Sequence, residues 1–255
     1  MVVRFPDGTT RASDDAACTA RLRPASTFKL ANALIGADVG LITAPDTVLP
    51  YDAARYPADA DWPAGWAHDQ PLDVGLAISA VPLFRGLATR IGAARMQAHL
   101  AALHYGNASI AGGVDHFWLD GGLAISAREQ VDFLAGLTSG TLPVSAQAHA
   151  IVRAAAPREQ AAGATLHWKT GTGWLDDGDT IAWLVGWIDR ADGVYPFACW
   201  IREREVPMAR VRDHRMTVCR GALAALALFP APSPPSPSTP SPPSASPPSR
   251  SPTTR

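Results

Sequence analysis

Lysine is nearly absent from this chain: of its 22 basic residues, only Lys29 and Lys169 are lysine and the rest are arginine. Either side chain can supply a surface charge, but a guanidinium effectively never loses its proton. A lysine kept against that bias points to a place that needs a compact, deprotonatable amine, and its neighbours decide whether this holds. Cysteine is scarce as well. Cys18, Cys199 and Cys219 are odd in number and lack metal-ligand spacing, so no disulfide framework or zinc site is readable, and buried free thiols are expected. No run of 18 or more apolar residues occurs, so no membrane-spanning helix is expected. There is no excess charge of one sign either. A net charge of −1 without a basic block argues against nucleic-acid or membrane-surface binding by bulk electrostatics. The start lacks the basic and apolar regions of a signal peptide, since Met1 runs directly into the strand-like Val2-Val3-Arg4-Phe5.

What is present suffices for one substantial core, with 47% apolar and 18% charged residues over 255 positions. Strands are expected at both ends with helices between. Val2–Phe5 and Thr9–Ser13 flank the turn signal Pro6-Asp7-Gly8. Ser26 to Val39 has apolar residues at helical spacing and ends at Gly40, while Ser126-Ala127-Arg128-Glu129 has the form of a capping box. Ala164–Trp168, Thr180–Ile188 and Val194–Ile201 are predicted strands joined by hairpin-length turns, and Arg210 to Leu228 is a closing helix. This predicts a domain over residues 1–228 and a disordered Pro/Ser-rich tail over 229–255, where 11 of the 23 prolines lie beyond residue 229.

Both lysines sit beside groups that need an amine. Lys29 lies three residues after Ser26, one helical turn away on the same face. A neutral amine within hydrogen-bond reach is one way to activate a serine hydroxyl, and a helix start offers free N–H groups to a developing oxyanion. Taken alone, Ser-x-x-Lys also fits a helix-capping Ser followed by a surface Lys. Lys169 opens Lys169-Thr170-Gly171-Thr172-Gly173, which fits a carboxylate-binding strand end as well as a plain glycine-rich turn.

The two motifs together match the Ser-x-x-Lys plus Lys-Thr-Gly set of serine β-lactamases and penicillin-binding proteins. A third element between them is supplied by Ser79-Ala80-Val81. With Tyr105-Gly106-Asn107 and Phe117-Trp118-Leu119-Asp120-Gly121 in order, the chain resembles a class D, OXA-type serine β-lactamase over roughly residues 2–225. The resemblance implies an α/β chain of the α+β type. Its antiparallel sheet is built from N- and C-terminal strands and flanked by helices, with an inserted, mostly helical region. It also implies that Ser26 opens a β-lactam ring to form an acyl-enzyme, with Lys29 carboxylated by carbon dioxide or bicarbonate as general base and no other cofactor or metal. Val81 and Leu119 would supply dry walls around that base, Trp118 an indole N–H for the carbamate, and Ser79 a proton relay. Lys169, as a cation, would face the substrate carboxylate with Thr170 and Gly171, and the Ser26 and Thr172 N–H groups would form an oxyanion hole. Arg210, with Arg212 close behind, is the expected carboxylate anchor. No histidine is given a role, and Tyr105-Gly106-Asn107 is read as support for the cleft.

The expected partner is a small β-lactam; oligomeric state and preferred lactam are not legible. Relatives of this kind carry a signal peptide and further chain before the first strand. A shortened front and a periplasmic full-length form are therefore expected, with part of a sheet edge missing. A penicillin-sensing domain that is acylated without turnover is the alternative reading; a D,D-peptidase is disfavoured by Val81.

Overall fold

The computed structural model describes residues 1–231. The chain begins with β1 (Val2–Arg4), β2 (Thr10–Ala12) and α1 (Asp15–Thr19), then a 3-10 turn (Ala25–Phe28) running into α2 (Lys29–Asp38). The middle holds β3 (Val48–Leu49), β4 (Gln70–Pro71), α3 (Leu72–Ala77), α4 (Val81–Ile91), α5 (Ala93–Ala102), α6 (Ala127–Ser139) and α7 (Ala146–Ala155). It closes with β5 (Arg158–Ala161), β6 (Ala164–Trp174), β7 (Thr180–Arg190), β8 (Gly193–Glu203) and α8 (Met208–Ala225). The expected α+β architecture is present: a six-stranded antiparallel sheet in the order β2-β1-β8-β7-β6-β5, built from both ends of the chain with helices inserted between.

The central strand explains the layering. β7 is buried from Thr180 to Ile188, so both of its faces are covered and it reads as a continuous apolar run. Ile181, Trp183, Val185 and Trp187 enter the core shared with α2, α4 and α6, while Leu184 and Ile188 enter the smaller core under α8. Local signals hold where they are strong. Ser126 accepts from the Glu129 N–H and Glu129 reaches back to the Ser126 N–H, completing the capping box of α6. The β7–β8 hairpin turns in two residues between Arg190 and Gly193.

Four expectations are corrected. Ser26 lies in the 3-10 turn, and α2 starts only at Lys29. β6 does not end at Trp168 but runs on through Lys169–Gly173 to Trp174; the glycines read as a turn serve close packing instead. Cys199 and Cys219 form a disulfide with Cα atoms 5.8 Å apart, leaving Cys18 as a buried free thiol. Their pairing follows from where α8 crosses β8, which spacing in the sequence does not reveal. Phe229, assigned to the tail, is buried in the core under α8 with the Arg220 guanidinium 5.4 Å from its ring centroid. The remaining tail, from residue 232, lies outside the described residues. At the N-terminal side the sheet ends on the three-residue β2, the kind of short edge that offers little for another chain to pair with.

Candidate active site

The 3-10 turn carrying Ser26 packs against β6, and its approach depends on a missing side chain. A Cβ on Gly171 would stand 2.7 Å from the Pro24 carbonyl oxygen and 3.0 Å from Thr27 Cγ2. Glycine in mid-strand therefore lets the turn of Ser26 lie directly on the sheet. β5 pairs with β6 only as far as His167, so Lys169 to Trp174 form an open strand edge facing this turn.

Three hydrogen bonds define the site. Lys29 Nζ lies 2.6 Å from Ser26 Oγ, and Lys169 Nζ donates to Ser79 Oγ at 3.0 Å and to the Thr170 carbonyl at 3.1 Å. Ser79 does not cap α4; Ala80 occupies that position and makes no side-chain cap bond. Instead Ser79 sits at φ +58°, in the left-handed region that costs a residue with a Cβ about 1–2 kcal/mol. Neighbouring bonds hold it there: its N–H donates to the Leu76 carbonyl, Ala80 N–H to that of Gly75, and the Trp66 indole to that of Ile78. Among the described residues, Ser26 with Lys29 and Ser79 with Lys169 thus form two neighbouring bonded pairs, with no acidic side chain in an ion pair with either lysine.

Residues 4–213 match the penicillin binding protein transpeptidase domain. β-Lactamase OXA-10 of Pseudomonas aeruginosa is 38% identical over 177 residues, covering 69% of this chain and 65% of that protein. The chain thus spans just under two thirds of that relative. The crystal structure of FUS-1 (OXA-85), a class D β-lactamase from Fusobacterium nucleatum subsp. polymorphum, superposes with a TM-score of 0.81 at 30% identity, covering 90% of this chain and 92% of that one. This chain belongs to the class D β-lactamase family. The regulatory protein BlaR1 of Bacillus licheniformis is also similar, 31% identical over 184 residues, but those cover only 30% of its length.

In this member of the class D family, burial dominates the electrostatics. Lys29 is completely buried, with the Phe84 ring centroid 5.7 Å from its amine. Burial first, and the Lys169 charge second, push the Lys29 amine well below the ordinary lysine range. Lys169 was expected to act as a cation. Its own burial and the Arg215 charge bring it down to about 7, so near neutrality it both holds and gives up a proton. Val81 and Leu119 are partly buried, Val81 at the start of α4 and Leu119 against the core.

Trp118 is fully buried against Phe28, with ring centroids 5.1 Å apart, and its Nε1 has no hydrogen-bond partner among the described residues. An unpaired buried donor costs about 1–3 kcal/mol, so this one fits an acceptor bound there. The loop before it is pinned to α4. Asp115 accepts from Tyr56 at 3.0 Å, from Arg85 at 2.9 Å and bonds His116 at 2.9 Å. Burial alone would raise the Asp115 carboxyl, but the His116 and Tyr56 bonds and the Arg85 charge outweigh it and hold it at about 2. On the loop's far side, Asn107 donates to the Gly122 carbonyl at 2.7 Å and accepts from the Ala124 N–H at 3.0 Å, the supporting role expected of Tyr105-Gly106-Asn107.

The arginine expectation is not met. Arg210 and Arg212 are exposed, whereas buried Arg215 donates to Thr172 Oγ1 at 2.9 Å and leans on the Gly171 carbonyl at 3.4 Å. Burial and the nearby Arg212 charge lower it to about 10, so it stays protonated at neutral pH. The signal for Arg215 was the spacing of four that it shares with Val211, Cys219 and Leu223, the buried stripe of α8.

The Lys169 shift has a consequence for stability. Its ordinary value of 10.5 falls to about 7 in the folded chain, so between these values the unfolded chain binds more protons and stability rises with pH. Thermal melts from pH 7 to 9 are expected to show a rising Tm in the native chain and a flatter profile in Lys169→Met. Parallel profiles would show that Lys169 is not held at a depressed value.

Proposed function

We propose that this chain is a serine β-lactamase, with Ser26 as nucleophile, carboxylated Lys29 as general base and residence in the periplasm. The observation that carries the reading is the 2.6 Å contact between Ser26 Oγ and a buried, depressed Lys29 amine. Carbon dioxide adds only to a neutral amine, and desolvation shifts Lys29 toward its neutral form. When bound, the added carboxylate supplies an oxygen base. Two features of the chain fit it: the unpartnered Trp118 N–H, and two lysines and Arg215 without an acidic ion-pair partner among the described residues. Val81, Leu119 and Phe84 keep water from the amine.

Ser26 Oγ gives its proton to the base at Lys29 and attacks the lactam carbonyl, whose oxyanion accepts hydrogen bonds from the Ser26 and Thr172 N–H groups. The C–N bond of the ring breaks, and Ser79, hydrogen-bonded to Lys169, passes a proton to the leaving nitrogen. Water activated by the Lys29 base then hydrolyses the ester and frees Ser26. Thr170 and the Arg215 cation attract the substrate carboxylate along the open edge of β6. The Cys199–Cys219 disulfide supports an oxidising compartment such as the periplasm.

The BlaR1 similarity favours one alternative, a sensor that stops at the acyl-enzyme. Product released per enzyme from a chromogenic cephalosporin separates the two. Continuous turnover is expected; a single stoichiometric burst would assign the chain to the sensors.

A further inference from the structure

The disulfide between Cys199 and Cys219 lies outside the cleft, yet the sheet register ties it to the cleft. Thr170 stands opposite Leu184, and Leu184 opposite Cys199, so the three form one row across β6, β7 and β8. The next row on the same face is Thr172, Ala182 and Ile201. On α8, Arg215 precedes Cys219 by one turn on the same buried stripe. The four helical residues from Arg215 to Cys219 advance about 6 Å and two strand residues about 6.7 Å. With Cys219 bonded to the row of Thr170, Arg215 therefore falls over the row of Thr172. There it donates to Thr172 Oγ1 at 2.9 Å, in a row whose centre is the small Ala182. Besides its apolar contacts, α8 is tied to the sheet by the bidentate Arg220–Glu159 pair and by His214 with Glu203, all long side chains that can follow a shift of the helix; the covalent bond cannot.

We infer that the Cys199–Cys219 bridge is a positioning cross-link that sets the register of α8 on the sheet, placing the Arg215 guanidinium to receive the carboxylate of the substrate. Cys199 and Cys219 touch no substrate and act only through Arg215. The inference rests on the proposed reaction of Ser26 with a β-lactam, but not on whether the acyl-enzyme turns over.

Pre-steady-state acylation tests it for hydrolase and sensor alike. The half-saturating concentration and limiting acylation rate are compared for a cephalosporin acid and its methyl ester, at a temperature well below unfolding. In Cys199→Ala/Cys219→Ala the half-saturating concentration for the acid is expected to rise about tenfold, with the limiting rate within about twofold and the ester unaffected. Arg215→Ala is expected to give the same rise, and adding it to the double variant to give no further rise. An unchanged half-saturating concentration for the acid, equal losses for acid and ester, or effects that multiply would overturn the inference. Should the double variant not fold, Cys199→Val/Cys219→Ala, which restores volume beneath α8, and wild type reduced by a phosphine are read against the same outcomes. No acylation of the wild-type chain by either compound would overturn the proposed function itself.

Discussion

Replacing Lys29 by alanine is expected to lower kcat for a β-lactam by about 10²–10⁴-fold, the range over which a positioned general base acts, while the chain stays folded. Among the described residues, Lys29 Nζ is the only side-chain group bonded to Ser26 Oγ. Without it the hydroxyl meets the lactam as an ordinary alcohol, and the ester, once formed, has no base to activate water. Acyl-enzyme is therefore expected to accumulate during slow turnover. The fold should tolerate the change, because the amine is buried with its depressed ionisation opposing the charged form. Lys29→Met, which fills the volume without the amine, is expected to melt at or above the wild-type temperature. Undiminished hydrolysis by Lys29→Ala would place the base elsewhere.

The second large effect is expected from Trp118→Phe. The ring is packed on Phe28 and Phe117, with centroids at 5.1 and 5.0 Å, so a smaller aromatic keeps much of the packing and removes the N–H. A hydrogen bond to a charged acceptor contributes about 1.5–3 kcal/mol. Its loss therefore raises the bicarbonate concentration needed for half-maximal activity by about 10- to 150-fold. Activity of Trp118→Phe is expected to recover at high bicarbonate, a response that plain destabilisation of the core would not produce. Equal bicarbonate dependence in the variant and wild type would remove Trp118 from the base's surroundings.

Much of this site was legible because its parts are local. Ser26 and Lys29 are separated by one turn, and that spacing holds although the turn is 3-10 rather than α-helical. The capping box of α6 and the β7–β8 hairpin are likewise settled within a few residues. What stayed hidden depends on how distant elements meet. Ser79 and Lys169 are 90 residues apart, and only the fold shows that this serine bonds the second lysine. Gly171 and Gly173 look like a turn until the 3-10 turn of Ser26 is seen lying on the strand. The register of α8 on the sheet buries Arg215 and leaves Arg210 and Arg212 exposed, and the same register pairs Cys199 with Cys219. The roles of the two lysines also depend on burial. Lys169 resembles a cation in the sequence, but complete enclosure beside Arg215 brings it to about 7.

The central claim is that the buried Lys29 amine takes up carbon dioxide to become the base. Carbon-13 NMR of the protein in labelled bicarbonate tests it most directly. One carbamate resonance per chain is expected, growing in step with turnover as bicarbonate rises and absent from Lys29→Ala. Full turnover with no such resonance, or a resonance that persists in Lys29→Ala, would contradict it.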